Sequence, residues 1–330
     1  MKTIVQSLCL SFTLVLAVCR VSVAQPAKLK VAYPTVVGAM AVLWVTKEAR
    51  LFEKYGLDVE LIYIAGSSVV VQAMLAKEIT LSEIAIPAVV QANLGGADLV
   101  MLAGPNHKPG QKLVAKPEIK TVEALKGKRI GISRFGTSDD FILRYALGQW
   151  NLRPDRDISI LQLGGTPEIL AGLAAGNVDA GMLSSPLHLR AVKSGFSLLA
   201  DLSSGIDYQG AGVVTTRAFV RENPDTIRRY IRAYVEGLHR LKTDKKFSLN
   251  VLAKYTRVTE PEILEETYQH YAIKVMPKVP YPTMQGIQNV LDEIGSRIPK
   301  AKSLTPASVV DTSYLRELEQ SGFIKRLYGE

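Results

Sequence analysis

At 330 residues, with 47% apolar and 22% charged residues, the chain can bury a large core, and its length suggests two domains. Low-complexity tracts that would signal disorder are absent. The formal charge of +9 is spread out: Arg228, Arg229 and Arg232 share one expected helix, Lys242, Lys245 and Lys246 follow it, and Lys300 and Lys302 stand apart. No zinc-finger or helix-turn-helix pattern accompanies them, so they read as a solvated basic surface with no nucleic-acid partner.

Lys2 heads an apolar stretch from Ile4 to Val18, interrupted by Gln6, Ser7, Ser11 and Thr13, and Ser22-Val23-Ala24 places small residues before Gln25-Pro26. This is the pattern of a signal peptide over residues 1–24, cleaved after Ala24. The stretch is short for a ~30 Å hydrocarbon core, and Arg20 follows it at once. The expected location is therefore periplasmic. Lipid attachment at Cys19 is the lesser alternative, because Val18 stands where a lipobox usually has Gly, Ala or Ser. Cys9 and Cys19 are the two cysteines of the chain, so residues 25–330 offer no disulfide, no thiolate nucleophile and no Cys-ligated metal. An oxidising compartment is consistent with that lack.

Leu29–Tyr33 alternates as a strand, and Pro34–Gly38 follows as a loop. Met40, Leu43, Trp44, Leu51, Phe52 and Tyr55 recur at helical spacing, which predicts one helix from Met40 to Tyr55 capped by Gly56. Asp58–Ile64 is the next strand, Gly66-Ser67-Ser68 starts a helix through Leu75, and Leu81–Ile86 is a third strand. Alternating strand and helix predict a parallel α/β layer. Shifted by 99 residues, Asp58–Gly66 falls without a gap on Asp157–Gly165, Val31 on Ile130, Leu51 on Trp150, Ile79 on Val178 and Pro87 on Pro186. A constant offset that carries strands, turn glycines and a proline predicts two lobes of the same topology. From Asn223 the pattern turns helical. Asn223 is expected as N-cap with Pro224 at N1, and Ile227, Tyr230, Ile231, Tyr234, Val235, Leu238 and Leu241 form one apolar stripe. Thr259–Glu262 is expected as a capping box before a helix from Ile263 to Tyr271. Thr283–Ile294 and Asp311–Ser321 complete the helices. Tyr230, Tyr234, Tyr268 and Tyr271 are read as core.

The duplication gives each lobe three loops at strand carboxyl ends: Pro34–Gly38, Gly66–Ser68 and Ala85–Pro87, then Ser133–Asp139, Gly165–Pro167 and Ser184–Pro186. In open α/β sheets ligands sit at such ends, where helix N-termini present unpaired N–H groups. In Ser133–Asp140, Gly136 permits a sharp turn and Thr137 or Ser138 can cap the next helix. The free N–H groups and hydroxyls form an anion cradle. Asp139 and Asp140 either satisfy the helix dipole, or one of them faces the cleft and receives an amine or ring N–H. Phe135 stacks on a planar ligand or covers the hinge. The four histidines show no ligand spacing, and neither a Gly-x-Ser-x-Gly elbow nor a phosphate loop is present. Asp139 and Asp140 are adjacent, so they do not share a helix face as a proton-sharing pair would. The chemistry expected is binding rather than catalysis, without metal or cofactor.

Leu51–Leu57 (Leu-Phe-Glu-Lys-Tyr-Gly-Leu), Leu125–Ser133 (Leu-Lys-Gly-Lys-Arg-Ile-Gly-Ile-Ser), Phe135–Asp139, Leu173–Ala180 and Val310-Asp311 with Gly322-Phe323 resemble, in their order and spacing, the substrate-binding proteins of ABC importers. The group is that of nitrate, sulfonate and taurine, together with proteins similar to thiamine-pyrimidine-precursor binders, and the resemblance runs from about Leu29 to Tyr328. It implies a type 2 periplasmic-binding fold: two similar α/β lobes joined by a two-crossing hinge, with extra C-terminal helices. Lobe 1 would comprise 25–115 and a return segment 215–330, and lobe 2 would comprise 116–214, with crossings near Leu113–Glu118 and Gly212–Arg217. The cleft positions implied are Thr35, Gly38, Ser67, Ser68 and Pro87 in lobe 1, and Ser133, Phe135, Thr137, Ser138, Asp139, Ser184 and Ser185 in lobe 2. The cationic clamp of anion-binding members has no counterpart here except Arg134. The function implied is that of a monomeric, non-enzymatic protein that captures a small polar or anionic organic molecule, closes by hinge motion and delivers it to an ABC permease in the membrane. The alternatives are an enzyme of the same fold, a periplasmic sensor, or the binding component of another transporter class. Pyrimidine-precursor synthases of this kind rely on a cysteine-rich motif, and the related lyases lack an export signal.

Overall fold

In the computed structural model, which describes residues 27–154 and 156–330, the first lobe begins as strand β1 (Ala27–Tyr33), helices α1 (Ala41–Glu48) and α2 (Leu51–Lys54), β2 (Leu57–Tyr63), α3 (Ser67–Leu75), β3 (Leu81–Ala85), α4 (Ile86–Leu94) and β4 (Leu99–Ala103). The chain then crosses to the second lobe: β5 (Lys112–Ala115), β6 (Arg129–Ile132), α5 (Ser138–Gln149), β7 (Ser159–Gln162), α6 (Thr166–Ala174), β8 (Ala180–Leu183), α7 (Leu187–Lys193) and β9 (Ser197–Asp201). It returns as β10 (Ala211–Thr216) and ends in helices α8 (Arg217–Glu222), α9 (Pro224–Thr243), α10 (Lys245–Thr256), α11 (Pro261–Tyr268), α12 (Met284–Arg297), α13 (Ser313–Gln320) and α14 (Phe323–Tyr328). The expected signal peptide, residues 1–24, lies outside the described residues.

Strand order is β2-β1-β3-β10-β4 in one sheet and β7-β6-β8-β5-β9 in the other. The 99-residue offset holds at the level of register. Val31 pairs with Leu61 and Leu81, and Ile130 pairs with Ile160 and Ala180, in each case by parallel ladders. Helices α3 and α6 start and stop at the same offset. β3, β4, β5 and β8 are buried along their whole length, as strands covered on both faces by helices must be.

The two antiparallel strands are exchanged between lobes. β10 pairs with β3 and β4 of the first lobe, and β5 pairs with β8 and β9 of the second. Both crossings therefore fall before the expected points: the chain passes between sheets in 104–111 and 202–210, and Leu113 and Gly212 are already within ladders.

Local expectations are refined in three places. The helix from Met40 to Tyr55 is two helices, because Arg50 adopts a left-handed conformation (φ 56°) between α1 and α2. Asn223 is the N-cap residue of α9 with Pro224 at N1, as expected, but its side chain makes no capping bond and its amide donates to Phe219 O at 3.3 Å. The Thr259–Glu262 box does not form either: α11 starts at Pro261, and the Glu260 carboxylate accepts from Thr259 N at 3.0 Å. Thr283 does cap α12, accepting from Gly286 N.

The stripe on α9 is buried as expected, with Ile227, Tyr230, Ile231, Tyr234, Val235, Leu238 and Leu241 packed against α1 and α2. Gly237 is what brings α9 so close to α1, since a Cβ there would collide with Thr46. One carboxylate breaks the apolar pattern. Glu83 in β3 is 1% exposed, accepts a hydrogen bond from the Tyr234 hydroxyl at 2.5 Å, and has an Oε2 without a partner. Burial pushes its pKa up to about 8, and the Tyr234 hydroxyl offsets this only in part.

Candidate functional site

The loops at the strand carboxyl ends of both sheets face each other across a cavity of about 80 Å³. Pro34, Thr35, Val37, Ala39, Met40, Gly66, Ser67 and Ala85 line it from the first lobe, and Ser133, Thr137, Ser138, Asp139, Thr166 and Ser184 from the second. The crossing segments add Asn106, Lys108, Gly110, Gln111, Tyr208 and Gly210, β10 adds Ala211, and a π-helical turn after α11 (Gln269–Val275) adds Tyr271. The lobes touch around this space: Gly38 N donates to Ser185 O at 3.0 Å, the hydroxyls of Thr35 and Thr166 stand 3.0 Å apart, and Arg134 Nε donates to Ala65 O at 3.3 Å. Farther out, Arg190 pairs with Glu260 and Lys193 with Glu262.

The Ser133–Asp140 turn is organised by its two aspartates in different ways. Gly136 sits at φ 78°, and its N–H donates to Asp140 Oδ2 at 3.0 Å. Arg144 Nε reaches Asp140 Oδ1 at 2.6 Å, so Asp140 is an internal tie, paired one helical turn on. Asp139 faces the cavity. Its Oδ2 accepts from Ser133 N at 3.2 Å and its Oδ1 from Gln111 Nε2 at 3.3 Å. Protein atoms enclose this carboxyl, and what it exposes opens onto the cavity. Burial raises its pKa, while the hydrogen bonds from Ser133 and Gln111 oppose the rise. Neither Thr137 nor Ser138 caps α5 with its side chain: Thr137 Oγ1 donates to Arg134 O at 2.7 Å, and Ser138 Oγ accepts from the Tyr208 hydroxyl at 2.7 Å.

Of the residues expected here, Thr35, Ser67, Ser133, Thr137, Ser138, Asp139 and Ser184 line the cavity, whereas Gly38, Ser68, Pro87, Phe135 and Ser185 do not. Gly38 leaves room for the Tyr271 ring, which a Cβ would strike. Ser68 follows Ser67 along α3 and so points elsewhere. Pro87 is buried in the first turn of α4. Phe135 is 42% exposed, with the Arg144 guanidinium over its ring. Ser185 is occupied: its hydroxyl donates to Glu266 Oε2 at 3.0 Å and lies 3.3 Å from His188 Nδ1. Arg134 is no clamp either, since its stem packs on Gly66 and its Nε serves Ala65 O.

Sequence reasoning missed Asn106, Lys108, Gln111, Tyr208 and Tyr271. It placed the Gly165–Pro167 loop at the cleft without singling out Thr166, which stands 99 residues after Ser67. Tyr271 was assigned to the core; it is buried, yet it reaches the cavity because the π-helical turn re-aims it. Behind the cavity, His188 and the half-buried His270 lie near the Lys112–Asp201 ion pair (2.8 Å). Burial first, then the Lys112 charge, lowers each imidazole to about 4. Among the described residues no group of three or more His, Cys, Asp or Glu side chains is placed to hold a metal ion.

Two duplicated α/β lobes with exchanged strands, meeting over a cavity at their strand carboxyl ends, define the periplasmic-binding-protein fold. The chain belongs to the NMT1-like family, whose profile matches residues 22–254. The alkanesulfonate-binding protein SsuA of Xanthomonas axonopodis pv. citri, solved with MOPS bound, superposes with a TM-score of 0.74 at 23% identity, covering 88% of this chain and 100% of that one. The periplasmic nitrate-binding protein NrtA of Synechocystis PCC 6803 gives 0.73 at 16% identity, covering 89% of each chain. A Brucella abortus protein named as a binding protein is 25% identical over 244 residues, 71% of this chain and 75% of its own. The expected resemblance to sulfonate- and nitrate-binding proteins is thus found in the fold.

Proposed function

We propose that this chain is the solute-binding component of an ABC importer. It is exported to the periplasm, takes one small polar molecule between its lobes without altering it, and presents the closed form to a membrane permease. The observation that carries this reading is the cavity itself. It lies where the loops of both sheets converge, and among the described residues two short segments, 104–111 and 202–210, are all that the main chain runs between the lobes. Rotation about those segments opens and closes the space without disturbing either sheet. The likeness to proteins named for binding alkanesulfonate and nitrate supports the same reading. The polar side chains of the lining are hydroxyls, amides, one carboxylate and a lysine held by Asp207, set among apolar residues such as Val37 and Met40, which suits recognition better than bond-breaking.

Thermal-shift screening of the purified protein against sulfonates, carboxylates, nitrate and pyrimidines tests it. A ligand at 100 times its Kd stabilises the folded state by about 2.7 kcal/mol. One compound per chain, recovered unchanged, is the expected result. Chemical turnover of a bound compound would refute the binding-only reading.

A further inference from the structure

Two acceptors on residues that line the cavity have fewer donors from the protein than lone pairs. Asn106 is 2% exposed, and its Nδ2 donates to Ala39 O at 3.3 Å and Ala211 O at 3.0 Å. Those two carbonyls settle which end of the amide is nitrogen. Its Oδ1 is therefore the oxygen, and it is buried without a partner. Asp139 has about four lone-pair positions, of which Ser133, through its N–H and hydroxyl, and Gln111 Nε2 fill at most three. Gln111 is oriented for this by Gly110 N, which donates to its Oε1 at 3.0 Å. The nearby cations are committed elsewhere: Arg144 to Asp140, Arg134 to Ala65 O, Lys108 to Asp207 and Lys112 to Asp201. Buried acceptors left without donors are costly, and a carboxylate in a low-dielectric space repels an anion.

Resting on the capture reading above, we propose that the solute carries a hydrogen-bond-donating nitrogen group, an ammonium, amidinium or ring amine, received by Asp139 and Asn106. Its N–H groups complete both acceptors and, where the group is charged, neutralise Asp139. A bare oxyanion would instead set its oxygens against a carboxylate and a carbonyl oxygen.

Calorimetry on matched pairs that differ in the nitrogen tests this: acetate against acetamidine, propionate against 3-aminopropionate, ethanesulfonate against 2-aminoethanesulfonate, each on wild type and on Asp139→Asn. The nitrogen-bearing partner is expected to bind wild type about tenfold or more tightly, the range of a charge-assisted hydrogen bond. Asp139→Asn is expected to close that gap while circular dichroism stays unchanged. Nitrogen-free anions that bind wild type as tightly as their partners would overturn the proposal and leave capture standing, as would a gap that survives Asp139→Asn. The wild-type comparison needs no variant, so it holds even if Asp139→Asn folds poorly. A folded wild type that binds no member of either series would refute the capture reading together with this one.

Discussion

Replacing Glu83 with Gln removes the one carboxyl group buried in the first-lobe sheet, and the effect should depend on pH in a calculable way. With a folded pKa of about 8 against an ordinary value near 4.3, the folded chain holds a proton that the unfolded chain has released throughout the interval between them. Stability contributed by this site therefore falls as pH rises through that window and levels off above about pH 8. At about 1.36 kcal/mol per pH unit, the loss between roughly pH 5 and pH 9 is on the order of 4 kcal/mol. Gln cannot ionise, so Glu83→Gln should lose none of it. Urea unfolding of both proteins across that range reads the difference directly, and groups common to both cancel. The variant should gain on wild type steadily as pH rises. A difference that stays flat between about pH 5 and pH 9 would show that Glu83 is not buried in the way described, with Tyr234 as its partner and Oε2 unpaired.

Two further outcomes follow from the geometry. His188 and His270 have pKa values lowered to about 4, so the unfolded chain takes up protons that the folded one refuses as pH drops from about 6.5 to 4. The contribution of each histidine to stability should fall in that window by up to about 3 kcal/mol and be level above it; the stability difference between wild type and His188→Asn should shift by one such share on acidification, and a difference that stays flat would refute the assignment. Ser138→Trp should fill the roughly 80 Å³ cavity and abolish binding of any compound found by screening. It forfeits the hydrogen bond from Tyr208, worth about 1 kcal/mol, and leaves the fold intact; unchanged affinity by calorimetry would place the site elsewhere.

Much of this architecture was legible because a duplication leaves a constant offset. Val31 and Ile130 could be matched before any pairing was known, and their strand partners obey the same shift. The crossings were harder to read. Leu113-Val114 and Val213-Val214 look the same whether their strand joins its own lobe or the other, since apolar pattern reports burial and not the sheet that buries it. The break at Arg50 was hidden because apolar spacing continues from Trp44 to Leu51 through a left-handed residue. At the site, hydroxyls on loops such as Ser67 and Ser138 were foreseeable from turn chemistry. Asn106 and Gln111 were not, since they lie on crossing segments with no periodicity to mark them. Tyr271 is in the core as read, but its second place in the cavity lining was hidden because its spacing matches a helix that in fact widens into a π turn.

The central claim, that a solute is clamped between two lobes that must part to admit it, is tested most directly by locking them. The hydroxyls of Thr35 and Thr166 stand 3.0 Å apart across the cavity, close to where the sulfurs of a disulfide would lie, and residues 25–330 contain no other cysteine. Stopped-flow binding of a screened ligand to the double variant Thr35→Cys, Thr166→Cys should be abolished on oxidation and restored on reduction, with ligand added before oxidation remaining trapped. Entry and release at the same rates in the oxidised and reduced protein would contradict the account.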